Sequence, residues 1–184
     1  MKLAILSDIH GNLPALEAAV ERIEAGRPDY GRPDYIIVDG DIVNRGPNSA
    51  ACWQLVQANL ARGWLVVRGN HEDYIYEHTL PHTPRQGRLF EINQLSYWTY
   101  QQLNGQTPRL AQLPEKVELT APDGRLVRAC HASMLNNRDG LYSHTPDDKM
   151  RQQIEPAPTL FCTAHTHTPF IRRIDDTLVV NSGS

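Results

Sequence analysis

Short hydrophobic runs followed by Asp, Asn and His recur along this chain, and no other feature constrains its fold as strongly. Side chains of these three types bind hard or borderline divalent metal ions, and several of them are needed to complete one site. Residues that follow successive parallel strands lie at the same edge of a sheet, where ligands bind in open α/β folds. The clusters are Ser7-Asp8-Ile9-His10, Gly40-Asp41, Gly69-Asn70-His71, His131 and His165-Thr166-His167.

The first half of the chain predicts three strand–helix units. Strands are predicted at residues 2–6, 35–38 and 64–67, with helices at residues 13–23 and 50–60 between them. Repeated units of this kind favour right-handed crossovers and a largely parallel sheet. An aromatic-rich stretch at about 72–104 is predicted to be helical and to form a flap over the site. Its aromatic residues either line the pocket or pack between helices: Tyr74, Tyr76, Tyr97, Trp98 and Tyr100.

The second half predicts more antiparallel pairing. Strands at 116–119 and 126–129 flank the turn Pro122-Asp123-Gly124, which is a hairpin signal. A helix is predicted with Thr145 as its N-cap and Pro146 at its first position. A strand at 159–163 and a hairpin formed by 170–174 and 178–180 complete the prediction, within a single domain that covers residues 1–184. The tandem Gly-Arg-Pro-Asp-Tyr at 26–30 and 31–35 is interpreted as a small loop duplication.

The composition is that of an ordinary globular protein, with 40% hydrophobic and 21% charged residues. A net charge of −3 argues against binding to a nucleic-acid backbone, although bound cations would still allow small phosphorylated substrates. No apolar run approaches the ~20 residues of a membrane span. Cys52, Cys130 and Cys162 form no Cys-x-x-Cys pair, so we expect reduced, buried thiols in a cytoplasmic protein.

Spacing within the clusters suits a metal pair. Asp8 and His10 are two residues apart, as are His165 and His167, so each pair can face one ion if the backbone is extended. Asp41 has a carboxylate able to bridge two ions. Asn70 offers a neutral oxygen, and His131 follows a strand of the predicted hairpin.

Neighbouring residues are candidates for contact with substrate. His71 projects away from Asn70 and is free to contact the substrate or to protonate a leaving oxygen. Arg45 either binds phosphate through bidentate hydrogen bonds from its guanidinium or serves as a surface ion-pair partner. Asn12 caps a helix, and a helix N-terminus is also a natural anion site.

Several other polar residues have simpler interpretations. Glu72 and Asp73 suit the first turn of a helix, where the dipole favours acids. Asp39 is expected to face outward from its strand. The remaining histidines are expected to be solvated rather than catalytic: His78, His82 and His144.

Together these clusters resemble the calcineurin-like metallophosphoesterases, over residues 3–183. Ser7-Asp8-Ile9-His10-Gly11-Asn12 is similar to the small bacterial phosphodiesterases, whereas the segments 40–46 and 68–72 are more similar to the phosphoprotein phosphatases and diadenosine tetraphosphatases. The resemblance implies a four-layer αββα sandwich of two mixed β-sheets flanked by helices. It also implies one metal at Asp8, His10 and His167, a second at Asn70, His131 and His165, Asp41 as the bridge and His71 as acid or phosphate contact.

The resemblance implies two divalent metal ions, with manganese favoured and iron, zinc or nickel as alternatives. Two departures from the family pattern stand out. Ala164 occupies a position where relatives usually have Gly, which matters if that position needs a positive φ. Relatives also continue past the position of Ser184 into further strands, so a bare sheet edge leaves pairing into a homo-oligomer open.

The resulting hypothesis is a metal-dependent phosphoesterase that hydrolyses small phosphodiesters or phosphomonoesters through a metal-bridging hydroxide. A diadenosine tetraphosphatase or phosphoprotein phosphatase is the first alternative, prompted by Arg45 and Arg68. The second alternative is a non-catalytic binding scaffold with the same fold, as in the retromer-type scaffolds.

Overall fold

Two sheets form the centre of the molecule, and the first of them is built from the N-terminal half. A computed structural model describes residues 1–29 and 31–184, so Tyr30, the last residue of the first repeat copy, lies outside the described residues. The first sheet has the order β1-β2-β3 and is parallel throughout. Its elements are β1 (Leu3–Leu6), α1 (Leu13–Ala25), β2 (Tyr35–Asp39), α2 (Ser49–Leu60) and β3 (Leu65–Val67).

Four helices follow the first sheet and occupy most of the predicted flap. They are α3 (Asn70–Glu77), α4 (Arg88–Ile92), α5 (Gln94–Gln102) and α6 (Thr107–Ala111). Helix α5 packs against both α2 and α3, and α3 packs against α6. The helical character predicted for 72–104 is therefore confirmed, although α3 begins two residues earlier at Asn70.

The second sheet contains both parallel and antiparallel pairs, in the order β4-β5-β6-β8-β7. Both predicted hairpins are present, one between β4 and β5 and one between β7 and β8. Parallel pairing of β6 with β5 and with β8 joins the two hairpins. The elements are β4 (Lys116–Thr120), β5 (Leu126–Cys130), α7 (Asp147–Ile154), β6 (Leu160–Thr163), β7 (Phe170–Ile174) and β8 (Thr177–Asn181).

Three apolar clusters hold the layers together. The largest lies between the first sheet and its helices, and includes Trp53, Val38 and Ile75. A second cluster between the two sheets includes Ile37 and Val127. The third packs α7 on the outer face of the second sheet. This layering is the αββα arrangement, so the predicted fold class is confirmed, with the mixed pairing confined to the second sheet.

One predicted helix cap needs correction, and another is confirmed. Helix α7 begins at Asp147 with Pro146 as its N-cap and no side-chain cap bond, whereas we predicted Thr145 as the cap. The Thr145 hydroxyl instead accepts a hydrogen bond from the backbone N–H of Tyr142, at 3.0 Å, so it is not available to the helix. The prediction for α1 is confirmed, since Asn12 Oδ1 accepts from Ala15 N at 3.3 Å.

Candidate metal centre

The polar residues that follow β1, β2, β5 and β6 converge at one edge of the two sheets. His167 Nε2 lies 3.3 Å from Asp8 Oδ1 and 3.2 Å from His10 Nε2. His10 Nε2 is in turn 3.9 Å from Asp8 Oδ1. These three side chains form a group whose ligand atoms could reach one ion. Residues 157 or more positions apart in sequence are thus brought together by the strand order.

Asp41 lies between this group and a second one. Its Oδ2 is 3.6 Å from His10 Nε2, 3.3 Å from His131 Nε2 and 4.0 Å from His71 Nε2. With His131 and His165 it forms another group within reach of one ion. The carboxylate therefore faces both sets of histidines, which is the placement that a bridging ligand needs.

Asn70 completes the second group. Its Oδ1 lies 3.0 Å from His131 Nε2 and 2.9 Å from His165 Nδ1, so the amide oxygen and both imidazoles point to a common volume. On its other side, His131 Nδ1 lies 2.8 Å from the backbone oxygen of Asp39. Donation of the Nδ1 proton to that carbonyl leaves Nε2 directed at the site, as metal-binding histidines require.

The backbone at the site is left-handed rather than extended. Among the described residues, nine residues other than Gly have a positive φ, and seven of them belong to this site. Our expectation that alternation along an extended backbone aligns the ligand pairs was therefore wrong. Asp, Asn and His tolerate this conformation better than most residues, which helps to explain their use here. The seven are Asp8, His10, Asp41, Asn44, Arg45, His165 and His167.

Ala164 does not need the backbone freedom of glycine. Its φ is not positive, and the left-handed conformation falls on the next residue, His165. Ala164 is fully buried, its N–H donates to the carbonyl of His131, and its own carbonyl accepts from the Asn181 side chain. The departure from the family pattern therefore leaves the placement of His165 intact.

Gly40 is required by a close approach between the two sheets. A Cβ at this position would lie 2.6 Å from His131 Nδ1 and 2.8 Å from the backbone of Gly69. Its φ of 81° also favours glycine. The residue therefore allows the imidazole from the second sheet to pass over the end of β2.

Glu72 organises the first half of the site, and sequence reasoning missed this role. Its carboxylate is fully buried and accepts hydrogen bonds from the backbone N–H groups of Asp41, Ile42, Val43 and Gly69, at 2.8–3.3 Å. The prediction that Glu72 lies in the first turn of a helix is confirmed, but that prediction does not include its burial or its contacts with the loop after β2. Its position three residues after Gly69, at the start of α3, is the only sequence signal that could have suggested this contact.

Asp39 also differs from expectation, because it is fully buried rather than facing outward. Neither carboxylate oxygen has a hydrogen-bond partner within the described part of the chain. Burial raises the pKa of Asp39 to about 7, so the neutral form is strongly favoured relative to an exposed aspartate. The residue contributes its backbone oxygen to His131, which orients that ring.

His71 is held in a defined tautomer by its neighbours. Asn44 Oδ1 accepts from the backbone N–H of Arg45 at 2.9 Å, which turns the amide NH₂ toward His71 Nδ1 at 2.8 Å. The Thr99 hydroxyl, on α5, also donates to Asn44 Oδ1, at 3.4 Å. Because Nδ1 accepts, the proton of neutral His71 lies on Nε2, the nitrogen nearest Asp41.

Burial controls the charge of the histidines at the site. It lowers the pKa of His10 and of His71 to about 4 in each case, against the opposing attraction of Asp41. Burial alone would also lower the pKa of His131, but the hydrogen bond to Asp41 raises it to about 10. Burial disfavours the charged form of Asp41, yet the contacts with His131 hold its pKa below the ordinary value. The Asp41 carboxylate is therefore anionic.

The other predicted contacts have distinct surroundings. Arg45 is exposed, and its charge helps to lower the pKa of both His10 and His71, so its guanidinium lies near the site. Asn12 is exposed and its amide oxygen is engaged in the cap of α1. Arg68 is turned away: it pairs with Asp73 at 3.1 Å and Glu115 at 2.8 Å, and donates to the carbonyl of Ala111 at 2.6 Å. Arg68 therefore gives no support to a phosphate-binding role.

The remaining histidines divide into two kinds. His82 and His144 are exposed, as expected. His78 is buried instead, with Nε2 2.8 Å from Ser96 Oγ and Nδ1 3.0 Å from Arg85 Nη1. It belongs to the packing of the flap, where Arg85 also lies over the Tyr97 ring at 4.8 Å.

The donor set fits divalent metal ions. The buried Asp8 Oδ1 lacks a hydrogen-bond partner in the described residues, although the imidazoles of His10 and His167 lie 3.9 Å and 3.3 Å from it. The imidazole nitrogens of His10 and His167 point at each other at 3.2 Å, an arrangement that a shared cation would relieve. Nitrogen and hard oxygen donors without thiolates suit manganese, iron, zinc or nickel.

Comparison with known proteins agrees with this geometry. The family model for calcineurin-like phosphoesterases matches residues 1–178. The chain therefore belongs to the calcineurin-like phosphoesterase family. Members of this family are phosphoric ester hydrolases that bind divalent metal ions, and this chain is accordingly a metal-dependent phosphoric ester hydrolase.

Solved structures show the same fold across the whole chain. A hypothetical protein from Pyrococcus horikoshii OT3 has a TM-score of 0.82 and 22% identity, and a metallophosphoesterase from Sphaerobacter thermophilus has a TM-score of 0.73 and 25% identity. Each match covers 100% of this chain and 76% of the other. A candidate diadenosine tetraphosphatase gives a TM-score of 0.57 at 19% identity, with 100% and 83% covered. No curated protein matches significantly in sequence.

Two further observations bear on the initial expectations. Cys52, Cys130 and Cys162 are all buried and unpaired with one another, as expected. Within residues 1–29 and 31–184, the structure has no helix that is both long and apolar enough to cross a membrane.

Proposed function

We propose that this protein uses two divalent metal ions to hydrolyse small phosphodiesters or phosphomonoesters. The placement of Asp41 carries this proposal, because one carboxylate faces two separate groups of potential ligands. A single-ion site would need only one of the two groups. When bound, the ions would supply an activated water nucleophile and neutralise phosphoryl oxygens.

The first ion would be held by Asp8, His10 and His167, and the second by Asn70, His131 and His165. Asp41 would contact both. Manganese is our first choice because oxygen donors from two carboxylates and one amide accompany the imidazoles, with iron, zinc and nickel as alternatives.

The chain's own groups would bind and orient the phosphoryl group. Neutral His71 presents its Nε2 proton toward the site because Asn44 occupies Nδ1. That N–H can donate a hydrogen bond to a phosphoryl or leaving oxygen as negative charge develops there. Arg45, exposed beside His10 and His71, would attract the phosphate and bind its oxygens through its planar donor fork. Asn12 at the start of α1 is a weaker candidate for the same task.

The two alternatives remain testable against this proposal. Hydrolysis of diadenosine tetraphosphate or of a phosphopeptide, without hydrolysis of the two simple nitrophenyl esters, would assign the protein to the other branch of the family. The scaffold alternative is a metal-free binding module, so bound metal in the purified protein would count against it, and the ligand groups found here support metal binding. We further propose that the chain acts as one domain and as a cytoplasmic protein, without binding nucleic-acid backbones or membranes. Self-association into a homo-oligomer is left to measurement.

The test is turnover by the purified protein after removal of metals and reloading with manganese. Four substrates separate the classes: bis(4-nitrophenyl) phosphate, 4-nitrophenyl phosphate, diadenosine tetraphosphate and a phosphopeptide. We expect activity on the first two, with about two manganese ions per chain.

His71→Asn should lose most of the activity while keeping the metal. His82→Asn is the matched control, because His82 is exposed in the flap. A fully loaded protein that hydrolyses none of the four contradicts the proposal.

A further inference from the structure

A guanidinium stacked on an aromatic ring forms the wall of the site beyond His71. The Tyr74 ring meets the His71 ring edge to face, with their centroids 5.1 Å apart. Arg138 Cζ lies 5.0 Å from the centroid of the same Tyr74 ring. His71, Tyr74 and Arg138 therefore form a continuous series that leads outward from the metal centre, and neither of the two outer residues has a role in the reaction described above.

The loop that carries Arg138, residues 133–140, is fixed against the metal ligands. The backbone of Arg138 is a hydrogen-bond partner of His165. Two residues further on, a Cβ added at Gly140 would lie 2.7 Å from Thr166 Cγ2 and 3.0 Å from His165 Cδ2. This contact leaves no space between the loop and the turn that supplies His165 and His167. The base of Arg138 is therefore positioned by the site itself.

Helix α3 holds the other side of the loop. Asn137 Nδ2 donates to Asp73 Oδ2 at 2.7 Å, and the backbone N–H of Arg138 donates to Asn136 Oδ1 at 2.9 Å. Asp73 is itself fixed by Arg68, at 3.1 Å. The side chain of Arg138 thus emerges from a hydrogen-bonded loop and lies across a ring that is part of the same helix as His71.

A surface ion pair does not account for this arrangement. Arg138 Nη2 and Glu77 Oε1 are 3.7 Å apart, and their side chains are 50% and 54% exposed. Pairs of this kind contribute little to stability. Stacking on Tyr74, in contrast, engages only the face of the guanidinium and leaves its in-plane N–H donors available. Those donors match the oxygens of a phosphoryl group in a bidentate contact.

We propose that Arg138, supported by Tyr74, binds a second phosphoryl group of the substrate, next to the one that is hydrolysed. The proposal rests on the phosphoesterase function above and adds that, among its small substrates, those with a second linked phosphoryl group bind more tightly. Arg138 would act as a specificity residue, since its side chain lies beyond His71 and contacts Tyr74 and Glu77 rather than the proposed metal ligands. Glu77 competes with the incoming phosphoryl group for the same donors.

The experiment compares a substrate with one phosphoryl group and a substrate with several. With manganese present, Arg138→Gln should raise KM for diadenosine tetraphosphate about tenfold or more, while KM for bis(4-nitrophenyl) phosphate changes less than about twofold. Tyr74→Leu should give a smaller rise in KM for diadenosine tetraphosphate, again with little change in KM for bis(4-nitrophenyl) phosphate. Glu77→Gln should lower KM for the polyphosphate about two- to threefold, because the competing carboxylate is removed.

Arg151→Gln is the matched control. Arg151 is a surface arginine that pairs with Asp175 at 2.8 Å, outside the groups that form the metal centre, so neither KM should change. Equal effects of Arg138→Gln on both substrates, or no effect on either, would overturn the proposal. So would a wild-type protein that hydrolyses the diester but does not accept the polyphosphate.

A binding measurement separates this proposal from the proposed function. Calorimetry with adenosine diphosphate and adenosine monophosphate needs no turnover. The wild type should bind the diphosphate more tightly, and Arg138→Gln should remove that preference. If the preference is present and depends on Arg138 in a protein without hydrolytic activity, the proposed function fails and this inference stands. If the protein is active but does not bind the diphosphate more tightly than the monophosphate, the inference about Arg138 fails and the proposed function stands.

Discussion

The seven potential metal ligands divide into an inner and an outer group that differ in burial. The inner group is almost inaccessible to solvent and consists of Asp8, His10, Asp41, Asn70 and His131. The outer group, His165 and His167, lies on the turn after β6 and is only partly buried. The inner ligands are held by buried contacts such as those of Glu72 and Asp39, whereas the outer pair depends on loops. We therefore expect the inner ligands to contribute more to the stability of the metal-free protein, and we expect substrate to approach from the side of the more accessible outer ligands.

The largest effect should come from Asp41→Asn, because this inner residue faces both groups of histidines. Asparagine keeps the shape but removes the negative charge that lies 3.3 Å from His131 and 3.6 Å from His10. We expect turnover of bis(4-nitrophenyl) phosphate to fall by about 10²- to 10³-fold or more, with loss of bound metal. Steady-state kinetics together with metal analysis measure both quantities. Unchanged activity at full folding would end the assignment of Asp41 as the shared ligand.

Glu72→Gln should reveal how far the inner group depends on its buried support. The carboxylate accepts hydrogen bonds from four backbone N–H groups. The single oxygen of glutamine can accept only some of these bonds, and its NH₂ group would face at least one of the N–H donors. We expect the free energy of unfolding to fall by about 2–4 kcal/mol in urea titrations of the metal-free protein. Glu21→Gln, on the exposed surface of α1, is the control and should change it by less than about 0.5 kcal/mol. Equal stabilities would refute the supporting role of Glu72.

The pair His131→Asn and His167→Asn compares the two groups directly. His131 is fully buried and bonded to Asp39 O and Asn70, so its loss should cost about 1–3 kcal/mol even without metal. His167 is partly exposed, and its replacement should change the stability of the metal-free protein by less than about 0.5 kcal/mol. Both variants should lose activity. If both variants lose similar free energies of unfolding, the inner and outer ligands do not differ in their contribution to stability.

The smallest effect concerns acid sensitivity outside both groups. Burial, and then the charge of Arg85, lower the pKa of His78 below its ordinary value of 6.5. The unfolded chain then binds more protons at this residue than the folded one, so stability falls as the pH decreases below about 6.5. His78→Asn should reduce the loss of stability between pH 7.5 and pH 5.5, as followed by urea titration. His82→Asn, at an exposed position, should leave that loss unchanged.

Most of the fold could be predicted from the sequence because its strands, helices and turns are marked by local sequence patterns. Alternation of strands and helices in the first half predicted the parallel sheet, and Pro122-Asp123-Gly124 predicted the β4–β5 hairpin. The start of α7 was misplaced by one residue because Thr145 forms a turn with Tyr142 instead of a cap. Competition of this kind between two acceptable local bonds cannot be resolved from residue types alone.

The candidate site was predicted less completely than the fold. All seven residues proposed as ligands do converge, yet the reason given for their alignment was wrong, since Asp8, His10 and His167 have positive φ values. Asp39 was expected to face outward, and Glu72 was predicted only as a first-turn acid, whereas both are fully buried, which is rare for charged residues. Their burial depends on contacts between β2, α3 and β5, and such contacts between distant segments leave no periodic pattern in the sequence.

The left-handed backbone at five ligand residues has a practical consequence for identifying the natural ion. Each such conformation carries a conformational cost, commonly of order 1 kcal/mol, that the chain bears before any cation arrives. A cation that suits the coordination geometry would offset this cost and raise the melting temperature most. A thermal-shift survey across manganese, iron, zinc and nickel would therefore rank the candidate cofactors before any physiological substrate is found.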